Sequence, residues 1–160
     1  AENHCNLRRY HYLVPLWALL PAGTCGSEFD PKEEPDRWTQ VLKQLKGLTK
    51  PFQGTQRLHN FCADGVPHEA ASKLFIKQFC HFGQAYYNNT LYLVLSVLAD
   101  NLFVSTISRM VGLVVAVMRG DLPEDFVAHS LDQHSLVDVP QAPAGYGYLA
   151  ECWYSIAETS

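Results

Sequence analysis

The side chains best able to carry chemistry in this 160-residue sequence are seven histidines and five cysteines. Their spacing offers little to a metal. His59, His68 and His81 fall near Cys62 and Cys80, but no CxxC pair exists and the intervals match no zinc pattern, so no metal site is expected. Asp121, Glu124 and Asp125 are near enough in sequence to form a carboxylate pair. They are better explained as acids opening a short helix after Pro123, with Asp121 as its cap. The sequence holds no phosphate-cradling glycine loop, no HExxH and no GxSxG. Residue types alone therefore stop at a globular domain without a recognisable catalytic constellation.

Charge distribution says more. The net charge is −4, which argues against a polyanion partner. Yet residues 37–77 hold seven Lys/Arg against Asp64 and Glu69, whereas residues 120–160 hold seven acids and no Lys or Arg. A basic middle and an acidic end permit a one-sided RNA-binding surface, and a solvated lysine-rich helix face explains the same pattern. Candidate RNA contacts are Arg8, Arg9, Lys43, Lys46, Lys50, Arg57 and His59.

The elements that must position these residues follow from periodicity. Residues 8–20 alternate polar and aromatic and read as a strand, with Pro15 at an edge or at its end. Residues 21–36, rich in Pro, Gly, Glu and Asp, read as a loop. From Asp36, an apolar stripe of Trp38, Val41, Leu42, Leu45 and Leu48 predicts an amphipathic helix closed by Gly47 and Lys50-Pro51. Residues 73–85 and 90–99 are β-rich, and Tyr86-Tyr87-Asn88-Asn89 between them predicts a hairpin. A second helix fits 101–118, a short third begins at Pro123, and a last strand fits 146–156. The order predicts one α+β domain, a mainly antiparallel sheet with helices packed on one face.

The apolar runs Tyr12–Ala22 and Met110–Met118 fall far short of the roughly 20 residues needed to span a bilayer. Ala1-Glu2-Asn3-His4 is not a signal peptide, and the chain lacks an initiator methionine, so a longer parent protein is expected. An odd, scattered cysteine set reads as reduced thiols inside the cell, in cytoplasm, nucleus or mitochondrion. Asn88-Asn89-Thr90 matches a glycosylation sequon without any other sign of secretion.

Four segments in order resemble the C-terminal half of the TruA family of tRNA pseudouridine synthases, most of all its eukaryotic branch. Residues 109–120, Arg-Met-Val-Gly-Leu-Val-Val-Ala-Val-Met-Arg-Gly, are similar to the family's "(R)xMVGxxxxVxxG" helix. Arg9-Tyr10-His11-Tyr12-Leu13-Val14-Pro15 is similar to "TYxYLLP", and Gly54-Thr55 with Leu58-His59-Asn60-Phe61 to "GTHNFHNF". Val137-Asp138-Val139-Pro140-Gln141-Ala142-Pro143 is similar to "VDVPKAP".

That resemblance implies cofactor-free isomerisation of uridine in RNA, with tRNA as substrate. The family's aspartate attacks a flipped-out nucleotide, the glycosidic bond breaks, and the base rejoins through its C5. A stacked base hides the reacting atoms, so flipping is a physical necessity. By motif position Tyr10 matches the active-site tyrosine, whose ring would stack on uracil. The aspartate belongs to an "RTDxGVHA" segment, and none occurs in these 160 residues. An N-terminal half outside them is therefore the expected partner. Ser108 stands where the family's helix has the arginine that keeps the aspartate ionised, with Arg109 next along. The leucine of the family's "GLxL" strand falls between Gly147 and Tyr148. The expected site is thus Tyr10, Arg109 and Tyr148. Alternatives are a TruA-like domain that binds RNA or protein without catalysis, and an unrelated α+β interaction domain. Homodimerisation is left open.

Overall fold

The computed structural model describes residues 4–21, 30–61, 73–100, 104–142 and 147–155, with side chains described for 7–21, 30–61, 74–100 and 104–142. Cys62, His68 and residues 22–29, half of the 21–36 loop, lie outside these residues, as do the side chains of Cys5, Tyr148 and Cys152. The elements run β1 (His4–Pro15), α1 (Pro35–Thr49), β2 (Gly54–Arg57), β3 (Lys73–Tyr87), β4 (Thr90–Ala99), α2 (Val104–Met118), α3 (Phe126–Leu131) and β5 (Gly147–Ser155). The strands form one sheet in the order β2-β3-β4-β1-β5, with every neighbouring pair antiparallel. The α+β expectation is met.

Alternation in β1 decides which side of the sheet is covered. Tyr10, Tyr12 and Val14 are buried together with Val41, Leu45 and Leu48 of α1 and with Ile107, Met110 and Val114 of α2. Val127 of α3 joins the same cluster, so all three helices feed one core on one face of the sheet. Arg9, His11 and Leu13, the intervening residues, stand on the other face and are half-buried. Phe52, on the short 3-10 turn before β2, meets edge-to-face both Phe61, on the turn after β2, at 5.5 Å and Phe79 of β3 at 5.4 Å. Such pairs add about 0.5–1.5 kcal/mol each beyond area burial, which ties these turns to the sheet.

Three boundaries differ from the sequence reading. β1 ends at Pro15, and Leu16–Leu19 form a 3-10 turn instead of continuing the strand. β3 runs to Tyr87, which leaves a two-residue turn with both Asn88 (φ 49°) and Asn89 (φ 62°) left-handed, as a primed hairpin turn requires. Asp121 does not cap α3, which starts at Phe126; its carboxylate pairs with Arg119 at 3.5 Å.

α1 opens on Pro35, pre-set for a first helical turn, and runs through Gly47 to Thr49. A Cβ at Gly47 would meet nothing within 4 Å. Gly47→Ala is therefore expected to stabilise the domain by up to about 1 kcal/mol, because it removes backbone entropy at no steric cost. A thermal scan checks this, and a melting temperature below that of the parent would contradict it.

Candidate functional site

Two of the four motif segments are the two sides of one contact. The Ser108 hydroxyl, fully buried in α2, donates to the Ser105 carbonyl at 2.9 Å and accepts from the Gln141 amide at 3.1 Å. The Ser108 carbonyl in turn accepts from the Ala142 amide at 2.9 Å. One turn on, Gly112 faces the same strap. A Cβ there would overlap the Pro140 carbonyl oxygen and lie 2.8 Å from the Ala142 nitrogen. The strap at Pro140–Ala142 thus lies on α2 at backbone distance, and only glycine permits it.

The third segment pins the same strap further upstream. Asn60 donates through Nδ2 to the carbonyls of Ser130 (2.9 Å) and Ser135 (3.1 Å), and its Oδ1 accepts from the Val137 amide at 3.1 Å. His59 Nε2 sits 2.6 Å from the Ser135 carbonyl, as a protonated Nε2 donating to it. Residue-type reasoning offers His59 as an RNA contact and overlooks Asn60. The only signal for Asn60 was its place in the Leu58–Phe61 motif.

The fourth segment supplies Tyr10. Its backbone lies between Val97 of β4 and Leu149 of β5, and its side chain is 7% exposed within the core cluster. Tyr148 is in register with His11, so the residue opposite Tyr10 is Leu149.

No protein-family model matches the chain. Two curated proteins do: the mouse and human proteins named pseudouridylate synthase 1 homolog are each 30% identical to it over 154 residues, 94% of this chain. These matches support the resemblance of the chain to a C-terminal domain of the TruA family. It spans about one third of the length of these relatives, 34% in each case.

Within this TruA-like domain, the position of the family's helix arginine is occupied by a side chain committed to internal bonds. Ser108 is fully used by Ser105 and Gln141. Arg109 is half-buried, and its guanidinium folds back along α2 to the Ser105 carbonyl at 3.4 Å.

The basic residues chosen as RNA contacts are not one cluster. Lys43, Lys46, Lys50 and Arg57 are exposed, while Arg8 and Arg9 are half-buried. Lys46 and Lys50 line a groove with Gln53, Gln78 and His81 beside β3, whereas Lys43 lines a separate one facing Glu124 and Val127. A third cavity, of about 390 Å³, lies between the end of β1, α2 and the strap. Tyr12, Val14, Trp17, Val111, Val115 and Pro140 line it, and Tyr10 does not. Among the described residues no three or more His, Cys, Asp or Glu side chains converge as a metal site would require, and no helix is long and apolar enough to cross a membrane.

His81 sits edge-on to Trp38 of α1, with ring centroids 6.2 Å apart. Burial holds its pKa below the ordinary histidine value of 6.5, and a hydrogen bond with the Gly83 backbone opposes that shift only in part. The folded state therefore prefers the neutral ring, so this contribution to stability is complete above about pH 6.5 and is lost as pH falls through the lowered pKa. Denaturation midpoints measured between about pH 7 and pH 5 are expected to fall less for His81→Phe than for the parent. Identical slopes would remove His81 from the account.

Proposed function

We propose that this chain is the cleft-forming C-terminal domain of a tRNA pseudouridine synthase, which isomerises uridine to pseudouridine in RNA. The observation that carries this reading is the 30% identity, along 94% of the chain, to two proteins named as pseudouridylate synthase 1 homologs. In the reaction, an aspartate from a segment outside these 160 residues attacks the flipped-out nucleotide and the bond from N1 to the sugar breaks. The base turns and rejoins through C5, which displaces the aspartate; C5 then loses its proton and N1 takes one up, so the composition is unchanged. This domain contributes a wall: Tyr10, the family's tyrosine by motif position, is set between β4 and β5 and lies 7% exposed in the core, so it braces that wall from within. The strap held on α2 keeps the helix beside that wall in place. Lys43, Lys46, Lys50 and Arg57, all exposed, provide phosphate contacts.

A second reading has its own observation. Ser108, in the place of the family's arginine, is spent on Ser105 and Gln141, and Arg109 is drawn to Ser105. A domain so arranged brings no cation to the aspartate and would bind RNA without isomerising it. The test is a pseudouridine assay on tRNA with the intact protein, run beside equilibrium binding. Pseudouridine formation is expected. Binding without conversion selects the second reading, and neither binding nor conversion sinks both.

A further inference from the structure

We propose that the sheet face turned away from the helices is a stacking surface for an unpaired strand of RNA. It lies on the opposite side of the sheet from Tyr10 and α2, so it goes beyond uridine isomerisation and holds for an active or an inactive enzyme. Its first support is charge. Although the chain carries a net −4, strands β1 to β4 contain no Asp or Glu at all, and they carry Arg9, Arg57, Lys73 and Lys77, besides Arg8, which pairs with core Ala99 on the helix side. Among the described residues the acids lie on loops and helices and at one place on β5, where Glu151 is in register with Arg9 at the edge of this surface. A polyanion can lie across these four strands without meeting a carboxylate on them.

The second support is aromatic. Phe75 and Phe82 are 45% and 54% exposed on the same strand, β3. Phe75 precedes the buried Ile76 and so stands on the face away from the core. Phe82 falls at a register shift in the β3–β4 ladder and meets two of the β1 residues of that face, Arg9 and His11. The Arg9 guanidinium lies 5.3 Å from its ring centroid and the His11 ring 4.8 Å away. Arg9 is fixed in turn by Nη1 donating to Ser96 Oγ at 2.8 Å and to Gln78 Oε1 at 3.2 Å. The cation reaches across β4 to β3 and is held before any ligand arrives, so little side-chain entropy remains to be lost on binding.

Exposed aromatic rings beside an ordered guanidinium, on acid-free strands, match the chemistry of single-stranded nucleic acid: π-faces for bases and cations for phosphates. Phe75 and Phe82 stand roughly 20 Å apart along the strand at about 3.3 Å per residue, which suits several consecutive nucleotides better than one bound base. A duplex keeps its base faces stacked internally and gains nothing from the rings.

The experiment is fluorescence anisotropy of the intact protein with an unstructured RNA of about 12 nucleotides, a length within the usual site sizes, and with a hairpin duplex as comparator. The double variant Phe75→Ala/Phe82→Ala is expected to bind the single strand about tenfold or more weakly, with duplex binding and melting temperature little changed. Phe75→Tyr/Phe82→Tyr, which keeps both rings, should restore single-strand binding. Parental affinity in the alanine variant overturns the proposal. So does unchanged RNA binding with a shift from dimer to monomer in sedimentation, which would assign the face to a second copy of the chain. Because the readout is equilibrium binding, it is decided independently of whether the protein forms pseudouridine.

Discussion

Gly112→Ala is expected to destabilise the domain by about 2–4 kcal/mol, although alanine is the better helix former by about 1 kcal/mol. The added methyl would overlap the Pro140 carbonyl oxygen and press on the Ala142 nitrogen, 2.8 Å away. Both are backbone atoms, so no side chain can rotate out of the way. Helix and strap must part, and parting stretches the hydrogen bonds from Ala142 and Gln141 to Ser108, each worth about 1 kcal/mol net. Gly112 is also buried, so the strain cannot be relieved into solvent. Urea unfolding should show a lower midpoint at constant slope, and a thermal scan a drop of several degrees at about 2–4 °C per kcal/mol. Gly47→Ala is the internal control, the same substitution in a helix with open space around it and the opposite sign expected. If Gly112→Ala proved as stable as the parent, the strap would not lie on α2 as described.

The contrast between these two glycines shows where sequence reading ends. Local periodicity identified β1, α1, the β3–β4 hairpin, α2 and β5, because each carries its own signal over ten residues or so. It could not identify β2. Gly54–Arg57 is four polar residues whose strand character comes only from pairing with Lys73–Ile76. It also could not end β1 at Pro15, since Leu16–Leu19 are as apolar in a 3-10 turn as in a strand. At the site the limit is sharper. Alternation puts Tyr10 and Tyr12 on one face of β1, but nothing local says that this face is the one under the helices. Charge counting gathered Lys43, Lys46 and Lys50 into one patch, while the turn of α1 sends them to two grooves. Family resemblance reached further: it marked Gly112, Pro140 and Asn60 by position without giving their reason. The reason is mutual contact across dozens of residues of chain, which no local pattern encodes.

Asn60→Ala is expected to cost about 2–3 kcal/mol, a large effect for a half-buried polar residue outside the apolar core. Its side chain satisfies three backbone groups on one loop: the carbonyls of Ser130 and Ser135 and the amide of Val137. Alanine offers none of these bonds. Ser135 keeps His59 as a donor, so the loss concentrates on Ser130 and Val137. The same loop continues into Pro140–Ala142, the strap that closes on Gly112. Loosening one end should therefore relieve the clash at the other. The double variant Asn60→Ala/Gly112→Ala is expected to be less destabilised than the two single variants added together, by at least about 0.5 kcal/mol. Strict additivity would mean that the two anchors act on separate structures. In that case the strap could not be the single element through which the motif after β2 and the motif on α2 support one another.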